Sequence, residues 1–215
     1  MLIKKRKFYT IETITDSEVG SVFPQIVFKN LNEAFSIDAD YEITEGIELE
    51  GDLQPQAKLT DVISQASISA QGLLINNNAM EVLEKFQLPP HSYVPCTIYD
   101  QEGGAYGYSY LVLRNSDHSR LIDFEHTVFH YYQFGFQKDH IGISSFKAFE
   151  EAKKSLPSKD WWISATDLRL KSNPFDLIFL SGYLGEIIVS EGLKDELRKN
   201  RITGIDIQDA PVELC

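Results

Sequence analysis

The chemically richest stretch of the sequence is Asp123-Phe124-Glu125-His126, followed four residues on by His130. Two imidazoles at HxxxH spacing share one face of a helix, and with two carboxylates they could hold a divalent metal for hydrolysis. A hydrolase or metal enzyme built on Asp123, Glu125, His126 and His130 is therefore the alternative function this sequence offers. The surrounding residues oppose that geometry. Thr127-Val128-Phe129 and Tyr131-Tyr132 are β-branched and aromatic, which disfavours a helix and predicts histidines that stack or hydrogen-bond near a strand end. Cys96 follows Pro95 with no charged neighbour to lower its pKa, so an inert core thiol is expected. No GxxxxGK[ST] loop and no GxSxG elbow occurs, and Gly103-Gly104 reads as a turn. So acidic a chain supplies many accidental carboxylate pairs, and none stands out. Trp161-Trp162 could stack on a sugar or a base, although period-2 alternation predicts one indole in the core and the other partly exposed. No catalytic residue, metal-ligand set or cofactor is assigned. The expectation is a binder, not an enzyme.

Charge says what such a binder would seek. The 215 residues include 32 acids and 20 bases, for a net charge of −12. Four of the bases sit in the first seven positions, which leaves 32 acids against 16 bases in residues 8–215. Such a body repels nucleic acid and anionic membrane and favours a basic partner. The acids concentrate in one place. Asp38, Asp40, Glu42, Glu45, Glu48, Glu50 and Asp52 fall within fifteen residues that hold no base. Inside that stretch Ile47-Glu48-Leu49-Glu50 alternates apolar with acidic, as a strand with one buried face does. The row is the candidate partner-binding surface; an acidic strand at a sheet edge would also deter edge-to-edge pairing.

Hydrophobic residues make up 43% of the chain, ample for one α+β domain over 1–215. Its expected sub-regions are 1–57 (N-terminal strands), 58–157 and 158–215. The apolar runs are too short to span a bilayer. Met1-Leu2-Ile3-Lys4-Lys5-Arg6-Lys7 is followed by no apolar signal region, and the two cysteines form no CxxC pair, so a cytoplasmic protein is expected.

Strands are predicted within 2–14, 22–28 and around 47–50, with Asp61 opening a helical or loop segment up to Gly72. Leu73-Leu74-Ile75 reads as a buried strand. A helix with Ala79, Val82, Leu83 and Phe86 on one face follows it, capped by Asn78 with Glu81 and stopped by Pro89-Pro90. Ser92–Tyr99 and Tyr106–Leu113 form a hairpin around Asp100–Gly104, and a strand is expected near Leu121–Phe124. Ser144 or Ser145 caps a helix to Leu156, with Glu150 and Glu151 placed to pair with Lys153 and Lys154. The final third repeats an earlier pattern. Asp176-Leu177-Ile178, Ile187-Ile188-Val189 and Ser190 through Leu197 echo Asp61-Val62-Ile63, Leu73-Leu74-Ile75 and Asn76 through Leu83. The offset is 114 residues from Leu73 to Leu88, which matches Ile202, and a strand follows each helix. A duplicated strand–helix–strand unit in mixed or mostly antiparallel sheets is the predicted fold.

One further pattern is a likeness. Glu186-Ile187-Ile188-Val189-Ser190-Glu191-Gly192-Leu193-Lys194-Asp195-Glu196-Leu197, then Thr203-Gly204-Ile205-Asp206-Ile207, resembles the immunity proteins of bacterial polymorphic-toxin systems. Their "ivSerlkelLe" phrase and a glycine–hydrophobic–acid strand fall in this order. Gly72–Asn76, Val82–His91, Tyr108–Leu113 and Ile122–Phe129 match earlier phrases, so the likeness covers roughly 58–214. Gly192 stands where a bulkier residue is usual, and Asn76 where a serine is. The resemblance implies a protein that binds a cognate toxin of the same cell and blocks it, with no catalytic residues to assign.

Overall fold

A computed structural model describes residues 7–14, 18–20, 22–37, 46–68, 72–113, 121–179, 187–210 and 212–214. In chain order these form β1 (Phe8–Thr13), β2 (Ile26–Phe28), α1 (Leu31–Ser36), β3 (Leu49–Leu53), β4 (Val62–Ile63) and β5 (Gly72–Ile75). Then come α2 (Asn77–Leu83), β6 (His91–Tyr99), β7 (Ala105–Leu113), β8 (Val128–Gln133), β9 (Phe136–Ile141) and α3 (Phe146–Lys154). The last third holds β10 (Trp161–Leu170), β11 (Leu177–Phe179), β12 (Ile187–Ser190), α4 (Glu191–Lys199), β13 (Ile205–Asp209) and β14 (Val212–Leu214). The fold is α+β, as predicted, with mostly antiparallel pairing. Among the described residues no helix is long and apolar enough to cross a membrane.

Local chemistry explains most of these boundaries. Side chains of Asn76, Ser145 and Ser190 accept the backbone N–H of Ala79, Ala148 and Leu193, each three residues on, and so start α2, α3 and α4. The α2 cap is thus Asn76 and not the expected Asn78, because the chain stays extended through β5 until Asn76; Asn78 already lies in the helix. Asp100 builds the β6–β7 turn by accepting the N–H of Glu102 and Gly104 at 2.9 and 2.7 Å. Glu150 pairs with Lys153 as expected, whereas Glu151 lies nearest Lys147. Two further expectations fail. Val62-Ile63 is a strand, not part of a helix or loop. The strand expected near Leu121–Phe124 shrinks to a bridge between Ile122 and Leu170, since the backbone turns at once and Thr127 donates its N–H to the Asp123 carbonyl.

The duplication is larger than the strand–helix–strand unit. One sheet has the order β4-β5-β7-β6-β3-β2. The rest of the molecule runs β11-β12-β1-β13 and β14-β10-β8-β9, with β13 and β14 successive in the chain. Taking β13 and β14 together as the counterpart of β6, the two orders coincide from β4/β11 to β2/β8. The strand senses coincide as well: β3–β6 and β10–β14 are parallel, and the other shared pairs are antiparallel. Register makes the match quantitative. Tyr9 lies between Val189 and Asp209, and Ser109 between Ile75 and Pro95. Thr10 lies between Ile188 and Gln208, and Tyr110 between Leu74 and Val94. Both flanking strands are thus displaced by the same 114 residues that the sequence pattern shows. The first repeat contributes β1 through β6 and the second β7 through β14, but the repeats have exchanged their first strands: β1 completes the second repeat's sheet and β7 the first's.

Three apolar cores follow from this arrangement. One outer core gathers Ile26, Phe28, Ala34, Leu49, Ile98 and Tyr110 beneath α1. The other gathers Phe129, Phe149, Ile163, Leu168, Ile188 and Val212 beneath α3. The central core joins the repeats, with Ile75, Val82, Leu83 and Leu111 against Ile11, Val189, Leu193 and Leu197. Two aspartates brace it crosswise. Asp61 accepts its own repeat's Asn76 and Asn78 amides on Oδ1 (2.9 and 3.0 Å) and the Thr203 N–H and hydroxyl on Oδ2 (2.8 and 2.7 Å). Asp176 accepts the Ser190 hydroxyl at 2.7 Å and, from the other repeat, the Gln87 N–H at 3.0 Å. Burial pushes the Asp61 carboxyl up, but the donors from Thr203, Asn78 and Asn76 outweigh it and hold the group below its ordinary value of 3.8.

A carboxyl held low when folded contributes stability in full above its unfolded value and loses it as pH falls through the folded value. Asp61→Asn should therefore lower unfolding free energy at neutral pH by about 1–3 kcal/mol, because an amide cannot accept all four donors. In urea titrations the gap from wild type should close as pH drops below about 4. Gly192 marks the opposite case. A Cβ built there meets Phe86 Cε1 at 3.6 Å and Ser190 Oγ at 4.0 Å, both ordinary contacts, so Gly192→Ala should raise stability by about 0.5–1 kcal/mol in the same titrations.

Candidate functional site

Of the seven acids in the expected row, Asp38, Asp40, Glu42 and Glu45 lie outside the described residues. The remaining three show the predicted alternation. Leu49, Gly51 and Leu53 are buried, while Glu50 and Asp52 project from β3 to solvent with Glu48 just before them. β3 sits between β2 and β6, so its carboxylates do not serve to blunt a sheet edge. They stand instead on an open face, where Glu50 is in register with Thr97 and Asp52 with Tyr99. Lys29 belongs to this face. Its ammonium lies 2.8 Å from Asp52 and 3.9 Å from the centre of the Tyr99 ring. The hydrogen bond to Asp52 holds Lys29 above its ordinary value. The Glu48 carboxylate accepts the Thr97 hydroxyl at 3.5 Å, and its backbone carbonyl accepts the Asn30 amide at 2.7 Å. Among the described residues Glu48 and Glu50 have no ion-pair partner.

The face continues across the sheet into a groove. Thr97 is in register with Gly107, and Tyr99 with Ala105. Beyond β7 the surface drops into a recess of about 580 Å³, walled by Leu59–Asp61, Asn76–Asn78 and the start of β7. Nothing in the local sequence announces this groove. It exists because β5 ends at Ile75, short of the start of β7, and the chain leaves the sheet as α2.

The histidine cluster is dispersed. Asp123 Oδ2 holds His126 Nδ1 at 2.8 Å, and Asp123 Oδ1 accepts the Glu125 N–H, all within one turn. His130 lies on β8, where its Nδ1 is 3.1 Å from Gln137 Nε2 and its ring meets His140 edge-on at 5.6 Å. Among the described residues no three His, Cys, Asp or Glu side chains are grouped to hold a metal ion. The tryptophans divide only in part as alternation predicts: Trp162, 41% exposed, stacks on Tyr132 at 5.7 Å, whereas Trp161 is half-buried, packed edge-on against Tyr131, and does not enter the core. Phe134 and Phe136 extend this aromatic surface at the β8–β9 turn. Cys96 is buried in the first outer core, and desolvation, with a smaller effect from Glu48, pushes its thiol up to about 12.

A scan against protein-family models finds no match to the chain, and a search of curated proteins finds none either.

The thiol gives a direct check on the packing around β6. In a Cys215→Ser variant, Cys96 should resist iodoacetamide at pH 8 while the protein is folded and react within minutes in 8 M urea. Mass spectrometry reads the difference, and prompt labelling of the folded protein would contradict the burial described.

Proposed function

We propose that this protein is an inhibitor that works by occlusion: a cytoplasmic immunity protein that captures a basic toxin domain made by the same cell. The observation that carries this reading is the open sheet face bearing Glu48 and Glu50, carboxylates with no ion-pair partner among the described residues. A net charge of −12 places this face within a negative field. Such a field draws a basic partner in over distances well beyond contact and raises its association rate. The sequence phrases shared with toxin-immunity proteins support the same conclusion. Tyr99, stacked under Lys29 on the same face, adds the kind of rigid aromatic contact on which interface energy concentrates.

The partner to test is the polypeptide encoded by the adjoining gene, mixed with the purified full chain in stopped-flow and calorimetric measurements. A one-to-one complex is expected, with association that slows as salt rises. Replacing Glu48 and Glu50 by lysine should cut the association rate about tenfold at low salt and flatten its salt dependence. Absence of a complex would overturn the inhibitor reading. An unchanged rate in the double variant would remove this face from it.

A further inference from the structure

β7 outruns its neighbour. Among the described residues β5 pairs with Ser109–Val112 only, whereas Ala105–Tyr108 pair with β6 alone. The side of this segment that faces away from β6 lines the groove described above, and Ala105, Tyr106 and Gly107 are exposed there. The duplication supplies an internal comparison. By the register already given, Gly107 occupies the place of Lys7, and Asn77 that of Glu191. In the second repeat the Glu191 N–H donates to the Lys7 carbonyl at 3.2 Å and closes the gap beside β1. The first repeat has no corresponding bond between Asn77 and Gly107. There the molecule is open.

The same equivalence orients the backbone. The N–H and C=O of one strand residue point to the same edge, so those of Gly107, and of Ala105 two residues earlier, face the groove. A Cβ added at Gly107 would meet nothing within 4 Å, so the sheet face at this position is uncrowded. The charge of the groove is equally plain. Among the described residues Asp61 is the one charged side chain lining it, and the hydrogen-bond donors that hold it down are neutral. The register rows then lead outward: Gly107 to Thr97 to Glu50, and Ala105 to Tyr99 to Asp52. A strand added beside β7 would see those carboxylates across roughly 14 Å, three strand spacings.

We propose that this groove receives an extended, lysine- or arginine-bearing segment of a partner protein, which adds as a strand to the free edge of β7. Backbone hydrogen bonds to Ala105 and Gly107 supply the grip, and Asp61 with the acidic face selects basic side chains. This deepens the inhibitor reading by naming where part of the partner sits, and it rests on that reading only for the partner's identity. The test therefore uses model peptides, so that its failure leaves the inhibitor reading to the adjoining-gene experiment.

The isotopically labelled full chain is titrated, by NMR, with the decapeptides (Lys-Thr)5 and (Glu-Thr)5. Saturable shifts at the Ala105, Gly107, Asn77 and Asn78 amides are expected with the lysine peptide and none with the glutamate peptide. Hydrogen exchange at the Gly107 N–H should slow in the first complex. Gly107→Pro removes that donor at a strand edge, where proline is tolerated, and should weaken binding about tenfold. Gly107→Ala keeps the donor and should bind within about twofold of wild type. Thermal melts of both variants confirm that each is folded. Shifts centred elsewhere, equal binding of the two peptides, no binding of either, full affinity in a folded Gly107→Pro, or self-association of the chain through these residues would each overturn the proposal.

Discussion

The fold depends on β1 and β7 changing places. Each repeat alone would leave a gap between its second and third sheet positions, with Leu73 and Tyr93 on one side and Ile187 and Ile207 on the other lacking the strand that joins them. The strand that fills the gap comes from the other repeat. Two aspartates lock the exchange, because each binds a helix-capping residue of its own repeat and the segment after the helix of the other. Helix starts, sheet continuity and the joint between repeats therefore share the same few hydrogen bonds. Ionised acceptors suit such a joint, since charge-assisted bonds are stronger than neutral ones and both carboxylate oxygens can be satisfied.

Within that common plan the repeats have diverged where they meet solvent. β6 runs unbroken and binds both β7 and β3, whereas its counterpart divides at Ala210 into β13 and β14. One sheet therefore continues without a break along the row of Glu50, Thr97 and Gly107. The other half gains β9 and an aromatic turn instead. The central core tolerates a polar substitution only under cover: Lys194 occupies the position of Met80, and its ammonium lies 3.9 Å from the Tyr9 ring centre and 3.2 Å from Asp195.

Much of this was legible in the residues. Paired phrases around Asp61 and Asp176 gave the duplication because strand, cap and helix each carry a local signature: β-branched runs, an Asn or Ser, and apolar residues at helical spacing. The acidic alternation at Glu48–Asp52 gave the exposed face for the same reason. The full extent of the repeat was hidden. β1 and β7 share a place in the sheet but little sequence, since Thr10 corresponds to Tyr110 and Tyr9 to Ser109. Their offset of 100 also differs from the 114 that relates the strands around them. α1 escaped notice because it spans six residues, buries only Ala34, and has no side-chain cap from Asn30. The groove was not legible at all. It arises from the difference in length between two paired strands, which no local pattern records. The separation of His126 from His130 was foreshadowed by the β-branched Thr127 and Val128 and the aromatic Phe129 between them, which favour the strand that forms.

The exchanged strand also dictates an order of events during synthesis. Tyr9 and Ile11 are made long before their partners in register, Val189, Asp209 and Ile207. β1 must wait, unpaired, until nearly all of the described chain has been made, while β6 and β7 can zip across a short turn at once. Assembly of the first repeat's sheet around the hairpin, with the second closing around a strand held in reserve, is the sequence this topology imposes. A nascent chain of this kind carries an apolar, β-prone segment through most of translation, and the run of cations at Lys4–Lys7 beside it is well placed to keep that segment from pairing with another copy of itself.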